Sequence, residues 1–96
     1  EKDGFFSNRW LTTVLIHPNH KIDPEIIRLH LEKYNIESRP LWKPMHTQPI
    51  FKDCKIYGGK NSEALFNQGL CLPSGSSLSD NQLNLIANTI KKLYEK

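Results

Sequence analysis

Glu37-Ser-Arg-Pro-Leu-Trp-Lys-Pro-Met-His-Thr-Gln-Pro-Ile-Phe51 is the stretch on which the fold turns. It holds three of the six prolines in the chain, Pro40, Pro44 and Pro49. Each proline lacks a backbone donor and clashes with a preceding helical turn, so no helix runs through them. A central strand is excluded for the same missing donor. The composition is nevertheless not that of a solvated loop, because Leu41, Trp42, Met45, Ile50 and Phe51 are large and apolar. An irregular segment with this much apolar surface must pack against something, and a rigid packed loop is where binding groups tend to sit.

The flanking segments read as scaffold. Arg9 to Ile16 is rich in β-forming residues, with Trp10, Thr12, Val14 and Ile16 on one face and Leu11 and Leu15 on the other. Apolar residues on both faces predict a central strand, whose second face wants a partner outside this chain. Asp23 with Pro24 behind it predicts a helix start, and Ile27, Leu31 and Tyr34 give the helix its apolar stripe as far as about Asn35. Ile36 to Leu41 reads as a second strand that enters the proline-rich stretch directly. Lys52 to Asn61 is a polar loop. Its Gly58-Gly59-Lys60 lacks the full phosphate-loop pattern and reads as a surface turn. Ser62 is expected to cap a short helix through Gln68. Gly69 is expected at its end in a left-handed conformation, with Leu70 touching Leu65. Leu70-Cys-Leu72 is a third strand stopped by Pro73. The following Ser74-Gly-Ser-Ser77 admits two readings, an anion-binding turn or a plain connection. Ser79 and Gln82 form a capping box for the last helix, with Leu78 and Leu83 as a staple. Leu83, Ile86, Ala87, Ile90, Leu93 and Tyr94 trace its apolar side.

The expected fold is α+β: a small two-layer domain spanning 1–96, with about three mainly antiparallel strands and helices on one face. Ninety-six residues at 38% hydrophobic and 24% charged suit one globular unit with a small core. No apolar run is longer than three residues, the length of Val14-Leu-Ile16, so no membrane span is expected. A net charge of +3 without a basic cluster gives no reason to expect nucleic acid. His17 and His20 lack two further ligands at useful spacing, so no metal site is expected. Cys54 and Cys71 read as free thiols in a reducing compartment. The opening Glu1-Lys-Asp-Gly4 has neither an initiator methionine nor a leader pattern, as expected of an excised or processed chain.

Three runs together carry a resemblance: Asn8-Arg-Trp-Leu11, Glu37 to Phe51, and Ala64-Leu-Phe-Asn-Gln-Gly-Leu-Cys-Leu-Pro-Ser-Gly75. They resemble the C-terminal small domain of the DegT/StrS family of pyridoxal-phosphate-dependent nucleotide-sugar aminotransferases. Within that family the branch that aminates a UDP-linked 4-keto-6-deoxy sugar for bacillosamine-type glycans looks most similar. The resemblance implies a fold-type-I aminotransferase acting as a homodimer in the bacterial cytoplasm, with glutamate as the usual amino donor. It also implies that the cofactor lysine, the phosphate cup and the acid at the pyridine nitrogen lie in a large N-terminal domain. This chain lacks that domain, so by itself it is expected neither to bind pyridoxal phosphate nor to catalyse. The loop at residues 39–48 would face the nucleotide sugar through Arg39, Trp42 and His46, with Lys43 as a further contact. Arg presents a planar fork to a diphosphate, Trp stacks on a base or sugar face, and His donates to a phosphate oxygen. A second reading stands beside this one: Trp42 and Met45 as packing anchors, Arg39 paired with a neighbouring acid. An alternative function is a stand-alone binding module using residues 39–51.

Overall fold

Strands and helices alternate along residues 1–95, which the computed structural model describes. Strand β1 is Thr12–Leu15, helix α1 Pro24–Glu32 and strand β2 Arg39–Pro40. Two single 3-10 turns, Met45–Thr47 and Pro49–Phe51, carry the proline-rich stretch. Helix α2 is Lys60–Gln68, strand β3 Gly69–Leu72 and helix α3 Asp80–Tyr94. The sheet order is β1-β3-β2, and both pairings are antiparallel.

The α+β architecture is the one expected, but the central strand is β3 and not β1. The reason is visible in burial. Gly69, Leu70 and Cys71 are all buried, whereas Leu15 on the outer face of β1 is 57% exposed. β1 is also shorter than expected. Arg9 has φ 52°, a left-handed conformation that breaks an extended run, and the amide of Thr12 donates to Ser74 Oγ at 2.7 Å instead of to a strand. Ser74 Oγ in turn donates to Leu72 O at 2.7 Å and so closes that end of the sheet. β2 is only two residues long and sits at the other edge, where Pro40 leaves no ladder donor unmet.

The helices α1 and α3 cover one face. The core is Ile16, Ile27, Leu31, Ile36, Leu70 and Ile86, with Val14, Leu72, Ile90 and Leu93 packed around it. α1 starts as expected: Asp23 Oδ1 accepts from the Ile26 amide at 2.8 Å and Pro24 fills the first turn. It stops at Glu32, short of Asn35, whose φ of 56° turns the chain. At α3 the capping box forms in both directions, Gln82 N to Ser79 Oγ at 3.2 Å and Ser79 N to Gln82 Oε1 at 2.9 Å. The buried side of α3 is rotated from the expected stripe. Thr89 is buried while Leu83, Ala87 and Tyr94 are exposed. Thr89 Oγ1 donates to Leu85 O at 2.7 Å, so its hydroxyl enters the core satisfied and the residue packs as an apolar one.

Two expectations around α2 are corrected. The helix begins at Lys60 with Gly59 as N-cap at φ 103°, and Ser62 donates its hydroxyl to Gly59 O at 2.9 Å instead of capping. Gly69 is not left-handed; at φ −94°, ψ 152° it passes straight into β3. Its lack of a side chain has a steric cause. A Cβ there would lie inside the Leu41 side chain and 2.6 Å from Leu65 O.

Candidate functional site

An open groove of about 840 Å³ lies where the segments 34–42, 71–78 and 82–86 converge on residues 10 and 11. The strand order creates it. Pairing of Arg39 with Cys71 brings β2 beside the central strand, and the turn after β3 folds back towards the capped start of α3. Trp10 and Trp42 form one wall, with ring centroids 5.9 Å apart at an interplanar angle of 44°. A tilted pair at this spacing is a favourable aromatic contact. Both rings remain largely exposed, so the pair presents faces to solvent or to a ligand. Ser38 lies deeper. Its residue is 9% exposed and its Oγ has no hydrogen-bond partner within the chain.

Arg39 stands on the rim of this groove. Its guanidinium holds Glu37 Oε1, from Nη2 at 2.7 Å and from Nε at 2.8 Å. Both side chains are mostly exposed, and an ion pair of this kind contributes little net energy, so an incoming anion can take the arginine at small cost. Lys43 is exposed but is not among the residues lining the groove.

His46 also lies outside the groove. It sits in the first 3-10 turn with its side chain only 18% exposed, and its Nε2 is 2.7 Å from Glu63 Oε1 on α2. Of the four residues singled out by sequence, the structure therefore brings Arg39 and Trp42 to one surface and leaves Lys43 and His46 elsewhere. Met45 is exposed, whereas Pro44 is buried and anchors the loop. Three contributors were not legible beforehand: Trp10, read as a strand-face residue, Ser38 and Glu63. For Trp10 the signal was its place in the Asn8-Arg-Trp-Leu11 run.

Tyr34 and Cys71 also line the groove, and the remaining titratable groups among the described residues lie away from it. A hydrogen bond from Arg28 holds the Glu25 carboxyl below its usual range, on the exposed side of α1. His17 Nδ1 and His20 Nδ1 accept turn amides from Asn19 and Ile22. Among the described residues no three His, Cys, Asp or Glu side chains gather as metal ligands, and no helix is long and apolar enough to cross a membrane. Cys54 is exposed and Cys71 buried, and both are free. A pyridoxal Schiff base needs a lysine recessed beside an acid that can hold the pyridine nitrogen. Every lysine among the described residues is exposed, so the residues present do not fit that cofactor.

Residues 1–91 match the DegT/DnrJ/EryC1/StrS aminotransferase family. EpsN of Bacillus subtilis, inferred to be a pyridoxal phosphate-dependent aminotransferase, is 40% identical over 92 residues, which cover 92% of this chain and 23% of EpsN. GDP-perosamine synthase of Vibrio cholerae is 30% identical over 95 residues, covering 98% of this chain and 26% of the synthase. Among solved structures, PseC of Helicobacter pylori, an aminotransferase involved in the biosynthesis of pseudoaminic acid, superposes with a TM-score of 0.77 at 21% identity. That superposition covers 88% of this chain and 23% of PseC. The chain thus spans about a quarter of the length of the relatives it matches.

Proposed function

The chain belongs to the DegT/DnrJ/EryC1/StrS aminotransferase family, and from that membership we propose that residues 1–96 are the C-terminal small domain of a nucleotide-sugar aminotransferase. The parent enzyme moves an amino group, from glutamate, onto a keto sugar carried by a nucleoside diphosphate in glycan biosynthesis. Its pyridoxal phosphate is bound by the large domain, and the enzyme works as a homodimer in the bacterial cytoplasm. This chain supplies the substrate-side wall of the cleft and is not catalytic alone.

The observation that carries this reading is the groove wall of Trp10 and Trp42 with Arg39 on its rim. An exposed aromatic pair beside a guanidinium matches a ligand with a flat face and an anionic centre, as a nucleoside diphosphate has. In the proposal Arg39 leaves Glu37 for the diphosphate and Trp42 stacks on a base or sugar face. Lys43, exposed next to Trp42 in sequence, is a further candidate contact for the same phosphates. His46 contributes through the loop it fixes, and a direct contact with substrate requires it to leave Glu63.

One feature favours a second reading, a stand-alone binding module: the chain has a three-stranded sheet and a core cluster of its own. Two measurements separate the readings. Expressed with the coding sequence that surrounds it, the protein should aminate a UDP-4-keto-6-deoxy sugar in the presence of glutamate. Calorimetry of the 96-residue chain should detect at most weak binding of UDP-sugars, because half of the cleft is missing. Tight binding by the chain alone, with no amination by the longer protein, would replace the enzymatic reading with the module.

A further inference from the structure

Among the polar side chains of the proline-rich stretch with a hydrogen-bond partner, His46 is the one whose partner lies outside that stretch. Nε2 is 2.7 Å from Glu63 Oε1, in the first turn of α2. The imidazole also lies against Gly59. A Cβ on that glycine would come within 2.8 Å of His46 Cε1 and 3.0 Å of Nε2, and the φ of 103° disfavours any other residue. Around the histidine, the loop is tied into one piece. Thr47 N and Thr47 Oγ1 both donate to Pro44 O, at 3.1 and 2.8 Å. Gln48 N donates to Met45 O at 3.1 Å, and Gln48 Nε2 to Lys43 O at 3.2 Å. Pro44 is buried, but Met45 and Ile50 are exposed, so apolar burial holds only part of this piece down.

The contacts close a circuit. β2 leads into the loop, the loop is tied through His46 to α2, α2 runs into β3 at Gly69, and β3 pairs back with β2 at Arg39 and Cys71. We propose that Glu63 is a positioning residue: with Gly59 it latches His46, and the latch holds the 39–48 wall so that Trp42 and Arg39 face the groove. Glu63 acts through His46 and does not touch substrate. The inference rests on the functional reading of that wall and adds the element that sets its position. Glu63 lies in the first turn of α2, where the helix start favours a carboxylate.

The test uses the intact enzyme and two readouts. Glu63→Ala should raise the hydrogen-exchange rate of the Thr47 and Gln48 amides by about tenfold or more, with the β3 amides unchanged, because the 2.7 Å hydrogen bond that ties the loop to α2 is lost. The same variant should raise the KM for the nucleotide sugar about tenfold and leave kcat within about twofold, the signature of lost ground-state positioning. Glu63→Gln keeps an acceptor for the imidazole and should recover most of both effects. If Glu63→Ala does not fold, Gly59→Ala disturbs the seat from the other side and should move both readouts in the same direction. Unchanged exchange at Thr47 and Gln48 overturns the latch, and so does faster exchange with an unchanged KM. An unaltered enzyme that aminates no nucleotide-linked sugar would overturn the functional reading instead, and the exchange measurement would still decide whether the latch exists.

Discussion

Gly69→Val should destabilise the protein by about 3 kcal/mol or more, at the upper end of overpacking effects, and Gly69→Ala by about 1–3 kcal/mol. Two obstacles meet the new side chain. One is the Leu41 side chain and the other is the backbone oxygen of Leu65, which cannot swing away without unwinding the last turn of α2. Gly69 is buried and opens the central strand, opposite Leu15 of β1, so the strain falls where two strands and a helix meet. Urea midpoints measure the loss. Adding Leu41→Ala to Gly69→Ala should return part of it, because only the Leu65 contact then remains. A midpoint for Gly69→Val equal to that of the unaltered protein would mean that this close approach is absent in solution. The change should also reach the groove, since Leu41 is the neighbour of Trp42 and is the first group displaced.

Leu31→Ala should remove about 2–5 kcal/mol, the range for deleting a buried leucine and leaving a cavity. Leu31 is fully buried beside Ile27, Ile36, Leu70 and Ile86, at the seam between α1 and the sheet. The core cluster holds only six buried residues, so one vacancy cannot be refilled by distant repacking. The Leu31 carbonyl also accepts from the amides of Tyr34 and Ile36, which fixes the exit from α1 into Glu37 and Arg39. Thermal unfolding followed by circular dichroism should give a lower Tm for Leu31→Ala than for Leu29→Ala, whose side chain is half exposed. Equal losses for the two would contradict the placement of the core.

The contrast between these positions explains what could be read beforehand. The starts of α1 and α3 were legible because their rules are local. Asp23 before Pro24, and Ser79 three residues before Gln82, carry their partners within one turn. The α+β class followed from the alternation of periodicities. Strand order was not legible, because pairing is non-local. Arg9 to Ile16 is the longer β-forming stretch of sequence, yet the four residues of β3 took the centre once α2 delivered them between two edges. Gly69 was misread for a similar reason. A glycine after a helix usually marks a left-handed turn, and here it marks a clash with Leu41, which lies far away in sequence.

The candidate site divides along the same line. Arg39 and Trp42 were identified by residue type in a stiff loop and share the groove. The pairing of Arg39 with an adjacent acid, the second reading offered for it, is also present, through Glu37. His46 was singled out together with them for its chemistry. What the sequence could not disclose is that an acid 17 residues further on would hold it. Trp10 reaches Trp42 only because β1 and β2 flank the same strand, a fact that no window of sequence contains.

The central claim is that the 39–48 wall forms the substrate side of an aminotransferase cleft. Steady-state kinetics of the full-length enzyme carrying Arg39→Ala or Trp42→Ala test it most directly. Each variant should show a rise of about tenfold or more in the KM for the nucleotide sugar, with an unchanged KM for glutamate in the other half-reaction. A KM for the nucleotide sugar equal to that of the unaltered enzyme in both variants would contradict it.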